Sequence, residues 1–531
     1  MKRILCLTIA LLAQGCSSIE DFFTSSDVKK SQPNIIYILA DDMGIGDVKA
    51  YGFDSKIATP NIDRLADEGV MLTNMHTNSA VCTPTRYGIL TGRYAWRTPM
   101  KFGVLHAHQK AIIEPERPTV AHFLKKQGYD TAIVGKWHLG LDWALTNANA
   151  PHPFGENVDI KKPFKNGPLV NGFDYYYGIG ASLDMSPYAY VENNKVLYSD
   201  ISRMATRKET TEAGLVGSRP GWIDKDFKAD EVLTNLTAKS ISWIEQQQKN
   251  SADKPFFLYL PITAPHNPVV PKAEFKGKSG LSDHGDFMME IDHHVGQILN
   301  YLDKTGLADN TMVIFTADNG VAPVSNIERN QAQGHFSSGP YRGIKGMIYE
   351  GGHRVPFLVR WPNVLNAGME SDFHSSTVDL YATLSDITGI ALNPTEAPDS
   401  ISILPALKGQ TVNNEKRGIV YHSDIGKFAI RQGKWKLLLH DRGGSSFRAN
   451  PKDKHIPMVN PADIYLFDME SDPYERVNLQ TKYPAKVKEL GALLASYIQQ
   501  GSTRQGAVSS TFDPVKKWEG DKIIQRFTNQ L

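Results

Sequence analysis

Four apolar runs in this chain end in residues that can hold a metal ion or move a proton. Ile35-Ile36-Tyr37-Ile38-Leu39-Ala40 leads into Asp41-Asp42, and Thr131-Ala132-Ile133-Val134 leads into Gly135-Lys136-Trp137-His138. Phe256-Phe257-Leu258-Tyr259-Leu260 leads into Pro265-His266, and Thr311–Thr316 leads into Asp318-Asn319. An acid after a strand is most often a solvated turn residue. Two oxygen-rich pairs converging at one sheet edge would instead supply the hard ligands that Ca²⁺ or Mg²⁺ prefers. His138 and His266 carry groups that titrate near neutrality, which suits acid–base work. Beyond the first sixteen residues the chain has one cysteine, in Cys82-Thr83-Pro84-Thr85-Arg86-Tyr87-Gly88-Ile89-Leu90-Thr91-Gly92-Arg93. A lone thiol closes no internal disulfide. It is a buried small hydrophobe, a reactive thiol, or a side chain kept for what it is converted into. A helix-like run, Tyr87–Leu90, follows it directly, and a helix start favours anionic chemistry.

The pattern C-x-P-x-R followed by Leu90-Thr91-Gly92-Arg93 resembles the maturation and active-site signature of the type I, formylglycine-dependent sulfatases of the alkaline phosphatase superfamily. Family-like blocks run from about Pro33 to about Tyr474. Thr85 departs from the common Ser or Ala but keeps a small hydroxyl residue. The resemblance implies that Cys82 is oxidised to formylglycine (3-oxoalanine) by a separate formylglycine-generating enzyme and works as the hydrated aldehyde. It implies a divalent cation, usually calcium, held by Asp41, Asp42, Asp318, Asn319 and the Cys82-derived group, with magnesium the alternative. One geminal hydroxyl would attack sulfur, and His266 or Lys345 would protonate the departing oxygen. The second hydroxyl would then collapse and expel sulfate, with His138 taking the proton and Arg86 steadying the hydrate. Arg86, Lys136 and Lys345 would supply fixed positive charge, each well-placed donor being worth roughly 3 kcal/mol of barrier. Lys345 lies in Arg342-Gly343-Ile344-Lys345-Gly346-Met347-Ile348-Tyr349-Glu350-Gly351-Gly352, which matches the family's G-x-K-x-x-x-x-E-G-G block.

These residues need a frame. Helix-like segments at Asn61–Glu68, Val120–Gln127, Val232–Gln248 and Phe287–Leu302 separate the apolar runs, and Val355–Val359 reads as one more strand. Strands alternating with helices predict an α/β fold, a large mostly parallel or mixed sheet sandwiched by helices, with ligand sites outside the carboxyl ends of the strands. The stretch from Asn147 to Gly172, rich in Pro, Gly and Asn, reads as a long surface loop. After about Pro398 short strands follow at Gly418–Tyr421, Lys427–Arg431, Lys434–Leu439 and Tyr465–Asp468, then a helix near Ala485–Gln499. This resembles the smaller C-terminal α+β subdomain of the sulfatases, giving a catalytic domain over 33–397 and a subdomain with a polar tail over 398–531. Lys plus Arg is 58 against 57 for Asp plus Glu, a balance that predicts no nucleic-acid partner and no general attraction to anionic membranes.

Met1-Lys2-Arg3 and the apolar Ile4–Leu12 read as an export signal, too short to span a bilayer permanently. Leu12-Ala13-Gln14-Gly15-Cys16 resembles a bacterial lipoprotein cleavage box. Residues 1–16 are then a signal peptide, Cys16 the lipidated residue and 17–32 a tether. The expected location is the periplasm or cell surface, reached through a lipid anchor, with ordinary secretion as the alternative. Loop residues that suit sugar recognition are Trp96, Arg97, His106, His108, Asp184, Arg219 and Trp222, with Asp184 the leading candidate for a hydroxyl contact. The expected reaction is sulfate removal from a sulfated oligo- or polysaccharide. A phosphodiesterase or phosphonate monoester hydrolase of the same superfamily is the alternative enzyme, and a glycan-binding lipoprotein with a decayed site is the non-catalytic one.

Overall fold

The computed structural model describes residues 32–147, 157–412, 416–447, 450, 452–453, 458–508 and 518–528. The expected signal peptide, Cys16 and nearly all of the tether lie outside the described residues. Among the described residues no helix is long and apolar enough to cross a membrane.

The apolar runs form the middle of a ten-stranded mixed sheet. Its order is Met369–Ser371, Val70–Leu72, Phe357–Arg360, Thr311–Ala317, Asn34–Ala40, Phe256–Pro261, Asp130–Lys136, Tyr175–Ile179, Val191–Glu192 and Lys195–Val196. The five strands from Thr311–Ala317 to Tyr175–Ile179 run parallel, and the strands beyond them include antiparallel partners. The central strands are buried on both faces, as their unbroken apolar runs require. Register then does the positioning. Ala40 pairs with Ala317 and Leu39 with Pro261, so Asp41 and Asp318 emerge side by side from adjacent strands. The Asp318 amide donates to the Ala40 carbonyl at 3.1 Å, and the Asp41 amide to that of Ala264 at 3.0 Å, which fixes both exits and draws in the Pro265-His266 loop.

Helices Pro60–Asp67, Val120–Lys126, Val232–Asn250 and Asp283–Thr305 occupy the expected segments. Tyr175–Ile179 was not legible as a strand, because three tyrosines and a glycine in five residues give neither alternation nor an aliphatic run. The predicted strand at Val355–Val359 begins at Phe357 and runs antiparallel to Thr311–Ala317. Within the predicted 147–172 loop the described residues are Asn147 and 157–172, and the latter hold turns and isolated bridges at Val158 and Lys165.

The second sheet is antiparallel and consecutive: Gly418–His422, Phe428–Gln432, Trp435–Leu438 and Tyr465–Asp468. Helix Pro484–Gln500 covers it through Leu490, Leu494 and Ile498. The polar tail contributes a further helix, Glu519–Thr528, whose Phe527 ring lies against Gly491 so closely that a Cβ there would meet it at 2.3 Å.

Trp96 and Arg97 belong to this region and correct their expected place among substrate loops. Trp96 is buried with Tyr94, Phe428 and Trp518. Arg97 donates to both oxygens of Asp399 at 2.8 and 2.9 Å and to the Tyr497 carbonyl at 2.9 Å. The pair fastens the chain after the Cys82 helix to the C-terminal residues.

Candidate active site

Cys82 is the first residue of a ten-residue helix, Cys82–Thr91, every residue of which is buried. The sequence motif explains the helix. Pro84 sits in the first turn, where the N–H it lacks would have no helical partner. Thr85, the departure noted above, donates its hydroxyl to the Ser79 carbonyl at 2.9 Å, a bond that a small hydroxyl residue preserves. Gly88 lets Asn78 approach; a Cβ there would lie 2.4 Å from its amide nitrogen, which donates to the Pro84 carbonyl. Gly92 ends the helix in the left-handed conformation, φ 62°, its amide bonded to the Gly88 carbonyl.

The helix presents the Cys82 thiol to the strand ends. Sγ lies 3.6 Å from Asp41 Oδ1, 3.9 Å from Asp42 Oδ1 and 3.5 Å from Lys345 Nζ. Lys136 Nζ donates to Asp41 Oδ2 at 2.6 Å and Lys345 Nζ to Asp42 Oδ1 at 2.5 Å. Arg86 donates twice to Asp318 Oδ2, at 2.8 and 3.0 Å, and once to the Lys136 carbonyl, with Asp41 at 3.4 Å. Asn319 donates to Asp42 Oδ1 at 2.7 Å. His266 Nε2 stands 3.6 Å from Asp42 Oδ2. Asp42 holds φ 71° and His138 φ 57°, left-handed conformations in non-glycine residues at the turns that carry the chemistry.

Three carboxylates and three cations are thus packed together in the protein interior. Burial alone would raise the Asp41 and Asp42 carboxyls. At Asp41, Lys136 foremost overrides it and holds the group well below the usual range; at Asp42, Lys345 foremost holds the group down. Asp318 is pushed up to about 6 by burial and by the Asp41 charge, with Arg86 only partly offsetting them. Burial, followed by Asp318, raises the Cys82 thiol, so the unmodified side chain is a neutral thiol and a poor nucleophile. Burial, Lys136 and Arg86 hold His138 well below its usual value. His138 Nε2 bonds the Leu105 carbonyl at 2.8 Å and so carries the proton, which leaves Nδ1 as a buried acceptor with no partner among the described residues.

The donor set fits a hard dication. Asp42 Oδ2 and Asn319 Oδ1 are buried without a hydrogen-bond partner among the described residues, and both Asp318 and Asn319 adjoin Asp42, Asp318 Oδ1 accepting from the Asp42 amide at 3.2 Å. Asp41, Asp42, Cys82 and His266 can each bring a ligand atom within 4.8 Å of the others. The thiol is the mismatched member, a soft ligand among hard ones.

Of the expected sugar-facing residues, His106, His108 and Arg219 line a cleft of about 550 Å³. Asp184 is not among the lining residues; its Oδ2 accepts from Arg219, and its Oδ1 is buried without a partner among the described residues. Trp222 pairs with Arg203 in the hairpin Ile201–Met204 with Gly221–Asp224. Sequence reasoning missed Thr83 and Leu105, which join the cleft to the centre. The Thr83 hydroxyl donates to the His138 carbonyl and accepts from the Leu105 amide. No motif marks Leu105, because its backbone makes the contacts.

A family model described as Sulfatase matches residues 33–390. The chain is 34% identical to the N-acetylgalactosamine-6-O-sulfatase of Bacteroides thetaiotaomicron, covering 92% of this chain and 97% of that protein. It is 33% identical to the steryl-sulfatase of Rattus norvegicus, over 84% of each chain. A solved structure from work on glycosaminoglycan metabolism by Bacteroides thetaiotaomicron superposes with a TM-score of 0.75 at 33% identity, over 88% of this chain and 99% of that one.

Proposed function

The chain belongs to the sulfatase family and is a sulfatase, and from that premise we propose that it removes sulfate from a sulfated carbohydrate, using Cys82 in the formylglycine form beside a divalent cation. The observation that carries this reading is the position of Cys82. A soft thiol with a raised pKa stands where the surrounding acids and ammonium groups call for an oxygen ligand and an oxygen nucleophile. Conversion of the side chain to a hydrated aldehyde supplies both. Asp41, Asp42, Asp318 and Asn319 would hold the cation, and their hard oxygen donors suit Ca²⁺ or Mg²⁺. The cation supplies charge neutralisation for the ester and the nucleophile.

This chain's own groups divide the remaining work. Lys345 and Lys136 face the sulfuryl position as fixed positive charge. Although burial opposes it, the Asp42 carboxylate holds the Lys345 ammonium in its charged form, which suits charge stabilisation better than proton release. That leaves His266, less deeply buried than the other groups of the centre, to protonate the departing sugar oxygen. His138, with its proton on Nε2, would take the proton of the second hydroxyl on Nδ1. Arg86 positions Asp318 and Asp41. Asp184, Arg219 and His106 would recognise the sugar.

The relative named N-acetylgalactosamine-6-O-sulfatase favours a 6-O-sulfated hexosamine as the first substrate to test. Export through residues 1–16, with lipidation at Cys16, would place the enzyme where polysaccharides are met. The test is sulfate release from 6-O-sulfated N-acetylgalactosamine by protein co-produced with a formylglycine-generating enzyme, with and without EDTA. Release that Ca²⁺ restores after EDTA supports the reading. Turnover of phosphate esters alone, or release unaffected by metal removal, overturns it.

A further inference from the structure

The cleft beside the catalytic centre carries more positive charge than one sulfate requires. Its described lining includes Arg203, Arg207 and Arg219 and no acid. Two connections make it an extension of the centre. On one side it begins at His106, directly after Leu105, whose carbonyl holds His138 and whose amide bonds Thr83. Gly217, two residues before the lining Arg219, packs against Asn267, next to His266; a Cβ at Gly217 would stand 3.1 Å from the Asn267 amide nitrogen.

The three arginines are not equivalent. Arg219 is held by Asp184, its backbone amide bonding the Asp184 carbonyl at 3.0 Å and its carbonyl accepting from Tyr188 at 2.6 Å. Arg203 stands on a hairpin strand in register with Trp222, and Arg207 opens the short helix after it. Both side chains are exposed on the cleft wall, while Met185 and Pro220 give it an apolar surface. A guanidinium fork pairs with a carboxylate or a sulfate through two parallel bonds, and apolar side chains suit the C–H face of a sugar ring.

We propose that Arg203 and Arg207 form a second anionic subsite, which binds a carboxylate or a further sulfate on the saccharide whose ester occupies the catalytic centre. This deepens the proposed function and rests on it for the position of the ester. The substrate class is then a polyanionic saccharide, in which the scissile sulfate is one of at least two negative groups.

The test separates binding from turnover. Cys82→Ala protein, which holds the ligand without chemistry, is titrated calorimetrically with three probes: methyl N-acetylgalactosaminide 6-sulfate, its 4,6-disulfate, and a disaccharide joining the 6-sulfated residue to a hexuronate. The same titrations are run on Cys82→Ala carrying Arg203→Gln and Arg207→Gln. We expect at least one dianionic probe to bind about ten-fold more tightly than the monosulfate, and the double substitution to bring the ratio near one. Preference for the disulfate identifies sulfate as the second group, and preference for the uronate identifies a carboxylate. Equal affinity for all three probes, or a preference that survives the substitutions, overturns the subsite. Sulfate release by mature wild type is measured in parallel. Its absence alongside intact discrimination by the Cys82→Ala protein counts against the reaction and leaves the subsite standing.

Discussion

At Cys82 the surroundings matter more than the side chain itself. The thiol is 1% exposed and contributes little packing, so Cys82→Ala should cost about 1 kcal/mol of stability while removing all turnover. Sulfate release and a urea midpoint measured on the same preparation decide it. Residual release above a few per cent of wild type would leave the thiol-derived nucleophile without support. Arg86 is the opposite case. Its guanidinium is buried and answers two carboxylates, so Arg86→Gln strands charge in the interior and should cost about 3–5 kcal/mol. A midpoint shift worth less than about 1 kcal/mol would mean that water reaches this centre.

At the scale of elements, the Cys82 helix shows which effect wins when propensity and sterics disagree. In an open helix Gly→Ala stabilises by about 1 kcal/mol. At Gly88 the new methyl would meet Asn78 at 2.4 Å, and Asn78 also holds the Pro84 carbonyl. Gly88→Ala should therefore lower stability by about 1–3 kcal/mol and displace Cys82 from its neighbours, reducing turnover further. A thermal melt with a higher midpoint than wild type would refute this. The helix also shows what sequence could and could not reveal. The strands that end at Asp41, His138, His266 and Asp318 were legible because buried parallel strands leave unbroken apolar runs followed by polar residues. The fold class followed from their alternation with helices. The pairing of Glu350 with Lys436 at 2.8 Å, and of its amide with Glu475, was not legible, since these partners stand 86 and 125 residues away. Arg97 misled for a related reason. An arginine in a loop looks the same whether it meets a ligand or, as here, an aspartate 302 residues distant.

Across the whole molecule the histidines set the acid limit. His422 is carried down to about 3 by burial and by Lys101, and His76, His353 and His374 are held well below their usual value, in each case by burial first. A group with a depressed folded pKa is neutral in the fold and takes a proton when the chain unfolds. Stability from these four is complete above about pH 6.5 and falls as pH drops below it, each contributing about 1.4 kcal/mol per pH unit across its window. The urea midpoint should decline steadily from pH 6.5 to 5, and His422→Gln should flatten the decline. A midpoint constant across that range would show that the acids compensate.

The enclosure of the Cys82 helix also sets an order of events. All ten of its residues are buried, and Arg97 fastens the chain beyond it to Asp399 and to the Tyr497 carbonyl. A second enzyme cannot grip Cys82-Thr83-Pro84-Thr85-Arg86 once this structure has closed. If formylglycine forms here, it forms on a chain still being made or exported, in competition with collapse. Chains that win that race are active for life, and those that lose it are stable, correctly shaped and permanently inert. The activity of a preparation would then record how quickly each chain was intercepted. Unfolding the inert fraction, and only that, would offer it a second chance.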